Sequence, residues 1–225
     1  MRWAARTVAH RFLFPPARLA PGGKFDYLVS IVILSGEFRR EARYMKQRER
    51  EGPVEIALVG DLTENQSELC ERLLDVEPGG ECILYFDSLG GSPYGAMALA
   101  SLMLLRGLRA TGVVAGECSS SALWPFAACT RRLVTRYSVL LFHPMKWQSE
   151  EHVAISEAAE WARHFGQLET DMDRLLAELF HVSLEKIQEW TIPGRYVSGP
   201  ELAEAGLAEL VELRPLNILM PGKKR

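Results

Sequence analysis

From Pro53 onward the chain alternates short runs of β-branched and apolar residues with segments of helical periodicity, and Gly/Pro turns separate them. This alternation is typical of an α/β domain. Strands are predicted at residues 54–59, 82–86, 111–115, 133–135, 139–142 and 207–211, with 133–135 and 139–142 forming a pair. We predict one domain over residues 51–213, preceded by a basic extension at 1–50 and followed by a tail at 214–225.

Capping signals mark where the predicted helices begin. Thr63 opens a capping-box sequence ahead of the stripe Leu69, Cys70, Leu73 and Leu74, which is predicted to be buried. Ser92 followed by Pro93 predicts an N-cap and a first helical residue. The serines at 119–121 predict the start of a third helix, and Ser198 opens a second capping box near the C-terminal end.

One predicted helix is unusually long. Residues 149–180 contain no proline and a single glycine, and their apolar residues recur at helical spacing. A helix of about 30 residues extends about 45 Å, which is more than a compact fold of this size needs. We therefore predict that part of this helix leaves the domain and packs against another subunit.

Charge is distributed unevenly along the chain. Residues 1–50 hold 11 Lys and Arg against 4 Asp and Glu, although the whole chain carries a net charge of -3. Residues 1–25 contain no Asp or Glu. Such a basic, acid-free start is typical either of an organelle transit peptide or of an arm that packs on a neighbouring subunit or an acidic partner. No nucleic-acid recognition motif and no apolar run long enough to span a membrane accompany it. Four cysteines without C-x-x-C spacing indicate buried thiols in a reducing compartment, which favours the cytoplasm.

Three features remain as candidate chemistry. The sequence contains no P-loop, no dinucleotide fingerprint, no metal-ligand cluster and no G-x-S-x-G elbow. It does contain a Gly-Gly turn after a strand, a serine at a strand-to-helix junction and a histidine at a strand end. Together these are the components of acyl transfer: oxyanion donors, a nucleophile and a base. Each one alone also has a structural interpretation, as a tight turn, a helix cap or a core histidine.

Several separate segments, in order, resemble the ClpP family, the proteolytic subunit of the Clp protease within the crotonase-like fold. DSLGGS at 87–92 is similar to the family's N-S-P-G-G-S turn, with leucine where proline is usual. GECSSSA at 116–122 is similar to its nucleophile segment, and VLLFHP at 139–144 to its base segment. RYVSGPE at 195–201 is similar to its closing motif. The resemblance covers residues 54–212.

The resemblance implies a serine peptidase site. It assigns Ser120 as the nucleophile, His143 as the base, and the N–H groups of Gly91 and Ser121 as the oxyanion hole. Trp124 and Met145 are candidate walls of an apolar side-chain pocket, with core packing as the equal alternative.

The resemblance also implies an assembly. We expect a ClpP-like fold with a protruding handle helix, in a ring of copies that stack as heptamers or in a hetero-oligomer with a paralogue. The expected substrates are peptides or unfolded proteins, delivered by an AAA+ unfoldase where energy is required. No cofactor, nucleic acid or membrane is expected, and the expected compartment is the cytoplasm.

Gly194 is the main departure from the family's pattern, since it stands where the family keeps the Asp of its triad. Glu189 and Glu201 are nearby carboxylates that could replace it. Residues 146–151 contain no glycine, unlike the family's substrate-pairing strand. These departures leave two alternatives open: a structural subunit beside an active partner, and a crotonase-like enzyme acting on acyl-CoA.

Overall fold

The alternating sequence pattern folds into a mixed α/β domain with a mostly parallel sheet, within residues 52–146, 148 and 152–213, which the computed structural model describes. In this part of the chain the strands are β1 (Val54–Asp61), β2 (Glu81–Gly90), β3 (Arg109–Ser119), β4 (Arg131–Thr135), β5 (Val139–Phe142), β6 (Arg195–Ser198) and β7 (Glu209–Val211). The helices are α1 (Leu62–Leu74), α2 (Pro93–Leu105), α3 (Leu123–Ala127), α4 (Ile155–Phe180), α5 (Leu184–Thr191) and α6 (Gly199–Glu204), with a 3₁₀ turn at Ser120–Ala122. The predicted extension at 1–50 and tail at 214–225 lie outside the described residues.

The long strand β3 organises the sheet. Strands β1, β2, β3, β4 and β7 run parallel in that order. The first half of β3 pairs with β4, and its last residues, Glu117 to Ser119, pair with β5. Strand β6 pairs antiparallel with β5. The predicted pairing of 133–135 with 139–142 is therefore wrong, because both strands pair with different stretches of β3.

Helix α2 and the sheet share the core of the domain. Leu84 and Phe86 of β2 and Val114 of β3 are buried, as are Leu99 and Met103 of α2. Buried residues alternate with exposed or half-buried ones along β1 and β2, so one face of the sheet packs against the core. The core thus fixes the carboxyl ends of β2 and β3, where the candidate motifs lie.

The helix starts follow local hydrogen-bond chemistry. Ser92 caps α2, with Pro93 as its first residue, as predicted. Helix α1 begins two residues earlier than predicted, because the Asp61 side chain accepts from Thr63 N at 2.7 Å and is therefore the N-cap. Leu74, predicted to be buried, is 50% exposed at the end of that helix.

Helix α4 is the long helix of the sequence. It spans 26 residues, about 39 Å at 1.5 Å per residue. Its buried residues all lie in its C-terminal third: Met172, Asp173, Leu176, Ala177 and Phe180. Trp124 of α3 donates to the Met172 carbonyl at 2.8 Å and so attaches this third of the helix to the domain.

The four cysteines are free thiols, and three of them are buried. Burial raises the pKa of the Cys82 thiol to about 11, so this thiol is neutral at physiological pH. A search for membrane-spanning segments in the described part of the chain found no helix with the length and hydrophobicity needed to cross a bilayer.

Candidate active site

The three consecutive serines differ in environment at the end of β3. Ser119 is buried and donates to Glu117 Oε1 at 2.5 Å. Ser121 is buried and donates to the Gly91 carbonyl at 3.1 Å. Ser120 is half-buried, and no hydrogen bond ties its hydroxyl to another residue of the described part. Of the three, Ser120 has the hydroxyl that is available to a ligand.

The backbone of Ser120 adopts a left-handed conformation, with φ at +55°. Residues other than glycine rarely do so, and such strain is common at functional sites. A sharp strand-to-helix turn at a nucleophile exposes its side chain, as in the nucleophile elbow of α/β-hydrolases. This backbone conformation was not predictable from the sequence, because Cys118 and Ala122 stand where glycines usually flank such an elbow.

His143 follows the last residue of β5, the neighbour of β3 at its carboxyl end. Its Nδ1 lies 2.6 Å from the Pro144 carbonyl oxygen. A carbonyl oxygen only accepts, so Nδ1 carries the proton in the neutral ring and Nε2 is left as the acceptor. This is the tautomer that a general base toward a serine hydroxyl requires.

All four predicted site residues line one cavity of about 100 Å³: Ser120, His143, Gly91 and Ser121. The cavity has room for several water molecules. Within the described residues no hydrogen bond joins Ser120 to His143. Catalytic hydrogen bonds are often long in unliganded enzymes and tighten when substrate binds.

The Gly90-Gly91 turn approaches the serine segment closely. Gly90 has φ at +98°, and a Cβ there would lie 2.8 Å from both the Ser119 carbonyl oxygen and Ser120 Cβ. Gly91 has φ at +142°. Only glycine satisfies both the dihedral and the spacing at these positions. Ser121 lies in the first turn of the 3₁₀ helix, where N–H groups have no intrahelical acceptor.

Trp124 and Met145, the candidate pocket walls, both line the cavity. Trp124 also packs against the hydrophobic core, so both interpretations of this residue hold. The Met145 N–H donates to Glu169 Oε1 at 2.5 Å, which links the segment after β5 to helix α4.

Gly194 lies beside the candidate base. A Cβ at this position would be 3.3 Å from His143 Cβ. The two carboxylates considered as replacements have other partners: Glu189 pairs with Lys186 at 3.0 Å, and Glu201 accepts from Ser198 N at 2.8 Å. Within the described residues, neither carboxylate forms a hydrogen bond or an ion pair with His143. The Pro144 carbonyl is the group that holds Nδ1.

Two carboxylates of α4 that the sequence analysis did not single out also line the cavity, Glu169 and Asp173. Asp173 is only 8% exposed, and its burial, together with the charge of Glu169, raises its pKa to about 6. Helical spacing could have predicted that Asp173 faces the domain, because it lies four residues before the buried Ala177 and therefore on the same face of α4.

The described residues contain no group of three or more His, Cys, Asp or Glu side chains arranged to hold a metal ion. The polar groups that line the cavity include hydroxyls, an imidazole, an ammonium and carboxylates. The hydroxyl of Ser120, the imidazole and the backbone N–H groups are the components that acyl transfer uses.

In comparisons with known proteins, no protein-family model matches the chain, and no curated protein matches it. The resemblance to the ClpP family therefore rests on the sequence motifs alone.

Proposed function

We propose that the protein is a serine peptidase of the Clp type, which hydrolyses peptide bonds of unfolded proteins or peptides. The observation that carries the proposal is the left-handed backbone of Ser120 in a cavity shared with His143. A strained, accessible serine beside an imidazole of the right tautomer is the minimal arrangement for acyl transfer.

In the first half of the reaction, His143 Nε2 removes the proton of the Ser120 hydroxyl as Oγ attacks the peptide carbonyl. The N–H groups of Gly91 and Ser121 stabilise the negative charge that forms on the carbonyl oxygen. The imidazolium of His143 then donates its proton to the leaving amine as the C–N bond breaks. An acyl ester on Ser120 and a free amine are the products of this half.

In the second half, His143 accepts a proton from water, which attacks the ester carbonyl. The C–O bond to Ser120 breaks, and the proton returns to Oγ. The Pro144 carbonyl keeps Nδ1–H in place through both halves. A neutral carbonyl stabilises the imidazolium less than a triad carboxylate, so the reaction proceeds more slowly than with an Asp.

The same proposal includes assembly. The residues of α4 before Met172 are exposed or half-buried, and Ile155 at its start is 90% exposed. A ring of copies, stacked through this helix as in the handle of the resembled family, would cover them and enclose the serine. Native mass measurement tests this part, and a monomer at micromolar concentration contradicts it.

A second function has one observation in its favour. No described carboxylate contacts His143, and Gly194 occupies the family's Asp position beside it. A structural subunit that assembles with an active paralogue has no need of a triad carboxylate. This alternative predicts a folded, oligomeric protein without a reactive serine.

Reaction with a fluorophosphonate probe distinguishes the two functions. We expect wild type to be labelled and Ser120→Ala to remain unlabelled, because only an activated serine attacks the phosphorus. Ser119→Ala is the matched control, since Ser119 is buried against Glu117. It should label like wild type.

An unlabelled wild type that still assembles supports the structural subunit and refutes the peptidase. Labelling of Ser120→Ala at the wild-type rate refutes the assignment of the nucleophile.

A further inference from the structure

Asp173 is a buried carboxylate in the wall of the cavity. It projects from α4 at 8% exposure, and no hydrogen bond or ion pair joins its side chain to another residue in the described ranges. Burial removes part of the hydration of this carboxylate, and no hydrogen bond within the described ranges replaces it. Its presence beside Ser120 is therefore unexplained by packing or stability.

The remaining lining includes an apolar body, an acidic side on α4, and Lys146 on the segment after β5. Leu123, Met145, Met172 and Leu176 contribute apolar surface to the cavity. Glu169 lies one helical turn before Asp173 on the same face of α4, and both line the cavity. A long aliphatic stem that ends in a cation fits such a lining, because the stem takes the apolar part and the cation takes the carboxylate.

We propose that this cavity selects substrates with a basic residue, lysine or arginine, on the N-terminal side of the cleaved bond, with Asp173 as the residue that binds the cation. The inference rests on the proposed peptidase function, since it names the substrate class of that site. Glu169 strengthens the negative potential but is already engaged by Met145 N, so its part is smaller.

The ionisation of Asp173 gives the selectivity a pH dependence. The pKa of this carboxyl is raised to about 6 by burial and by Glu169. Preference for a cation therefore grows as pH rises through 6 and declines below it. The other ionisable groups at the cavity are Glu169 on the same helix, and His143 and Lys146 on the segment after β5. The selectivity is therefore measured as the ratio of kcat/KM for a basic and an uncharged substrate. Any change in protonation of these groups that alters both rates equally leaves this ratio unchanged.

The test compares two tripeptide coumarin amides that differ only in the last residue, lysine or norleucine. Norleucine has the aliphatic stem without the ammonium. For wild type at pH 7.5 we expect kcat/KM to favour lysine by about tenfold or more, the effect of one charge-assisted hydrogen bond. Asp173→Asn should bring the ratio close to one.

Asp171→Asn is the control, because Asp171 is an exposed residue of the same helix. It should keep the wild-type ratio. The inference is overturned if wild type favours norleucine, or if Asp173→Asn leaves the preference for lysine unchanged.

Failure of the inference can be separated from failure of the proposed function. Fluorophosphonate labelling of wild type without a lysine preference overturns the inference and leaves the peptidase in place. Fluorescein-labelled tripeptide acids ending in lysine or norleucine, titrated against Ser120→Ala, test the site without catalysis. Tighter binding of the lysine peptide that is lost in the double variant Ser120→Ala with Asp173→Asn supports the inference even if the serine is unreactive. Equal binding of both peptides overturns it.

Discussion

Replacing Asp173 by asparagine should make the protein more stable at neutral pH. Folding moves this carboxyl from an ordinary pKa of 3.8 to about 6, so the folded state resists its ionisation. At about 1.36 kcal/mol per pKa unit, the ionised group costs up to about 3 kcal/mol at pH 7. Asparagine has the same shape without the charge, and we expect a gain of about 1 to 3 kcal/mol after its own desolvation.

Because the pKa of Asp173 is raised in the folded state, the difference in stability between the variant and wild type depends on pH. Below about pH 4, Asp173 is protonated in both the folded and the unfolded state, so the variant and wild type should have similar stability. Between pH 4 and 6 the folded state holds the proton more tightly, and wild type loses stability as pH rises. Above pH 6 the full difference should be present.

Urea unfolding followed by tryptophan fluorescence measures this difference at pH 7 and at pH 4.5, with protein concentration held fixed because assembly contributes to stability. Asp171→Asn is again the control, and should change the free energy of unfolding by no more than about 0.5 kcal/mol. A variant Asp173→Asn that is less stable than wild type at pH 7, or equally stabilised at both pH values, refutes the reasoning. A functional group that destabilises its own fold is a common trade-off.

Three further predictions concern single substitutions at two glycines and at a helix cap. Gly90→Ala should abolish fluorophosphonate labelling, because the added Cβ would lie 2.8 Å from the Ser119 carbonyl oxygen; an unchanged labelling rate contradicts this. Gly194→Asp should lower Tm and leave peptidase activity no higher than wild type, because φ at this position is +126° and the Cβ would crowd His143; a restored rate refutes it. Ser198→Ala removes a capping box and should lower the free energy of unfolding in urea by about 1 kcal/mol. An unchanged free energy of unfolding contradicts this prediction.

Local chemistry made part of the fold predictable. Ser92 with Pro93, and Ser198 with its capping box, marked helix starts because a cap depends on residues within one turn. The prediction of Thr63 as an N-cap was wrong, because Asp61, two residues earlier, has an equally suitable side-chain oxygen and accepts the hydrogen bond from Thr63 N.

Contacts between distant residues were less predictable. Strands β4 and β5 are three residues apart in sequence, which suggested a pair, yet each pairs with a different part of β3. That choice depends on the length of β3 and on its neighbours, which no local pattern encodes.

The parts of the candidate site that depend on residue type and order could be predicted from the sequence. The order of a Gly-Gly turn, Ser120 and His143 identified residues that line one cavity. The left-handed backbone of Ser120 and the Pro144 carbonyl on His143 were not predictable, because both depend on backbone geometry. Asp173 was not predicted, because helical periodicity was traced through apolar residues only, and a carboxylate on the buried face does not follow that pattern.

A double-mutant cycle on Ser120 and His143 tests the central claim most directly. Peptide hydrolysis is measured for wild type, Ser120→Ala, His143→Ala and the double variant. If the hydroxyl and the imidazole act as a unit, each single variant loses about as much activity as the double variant. Losses that multiply in the double variant, or a Ser120→Ala protein that retains wild-type activity, contradict a serine mechanism at this site.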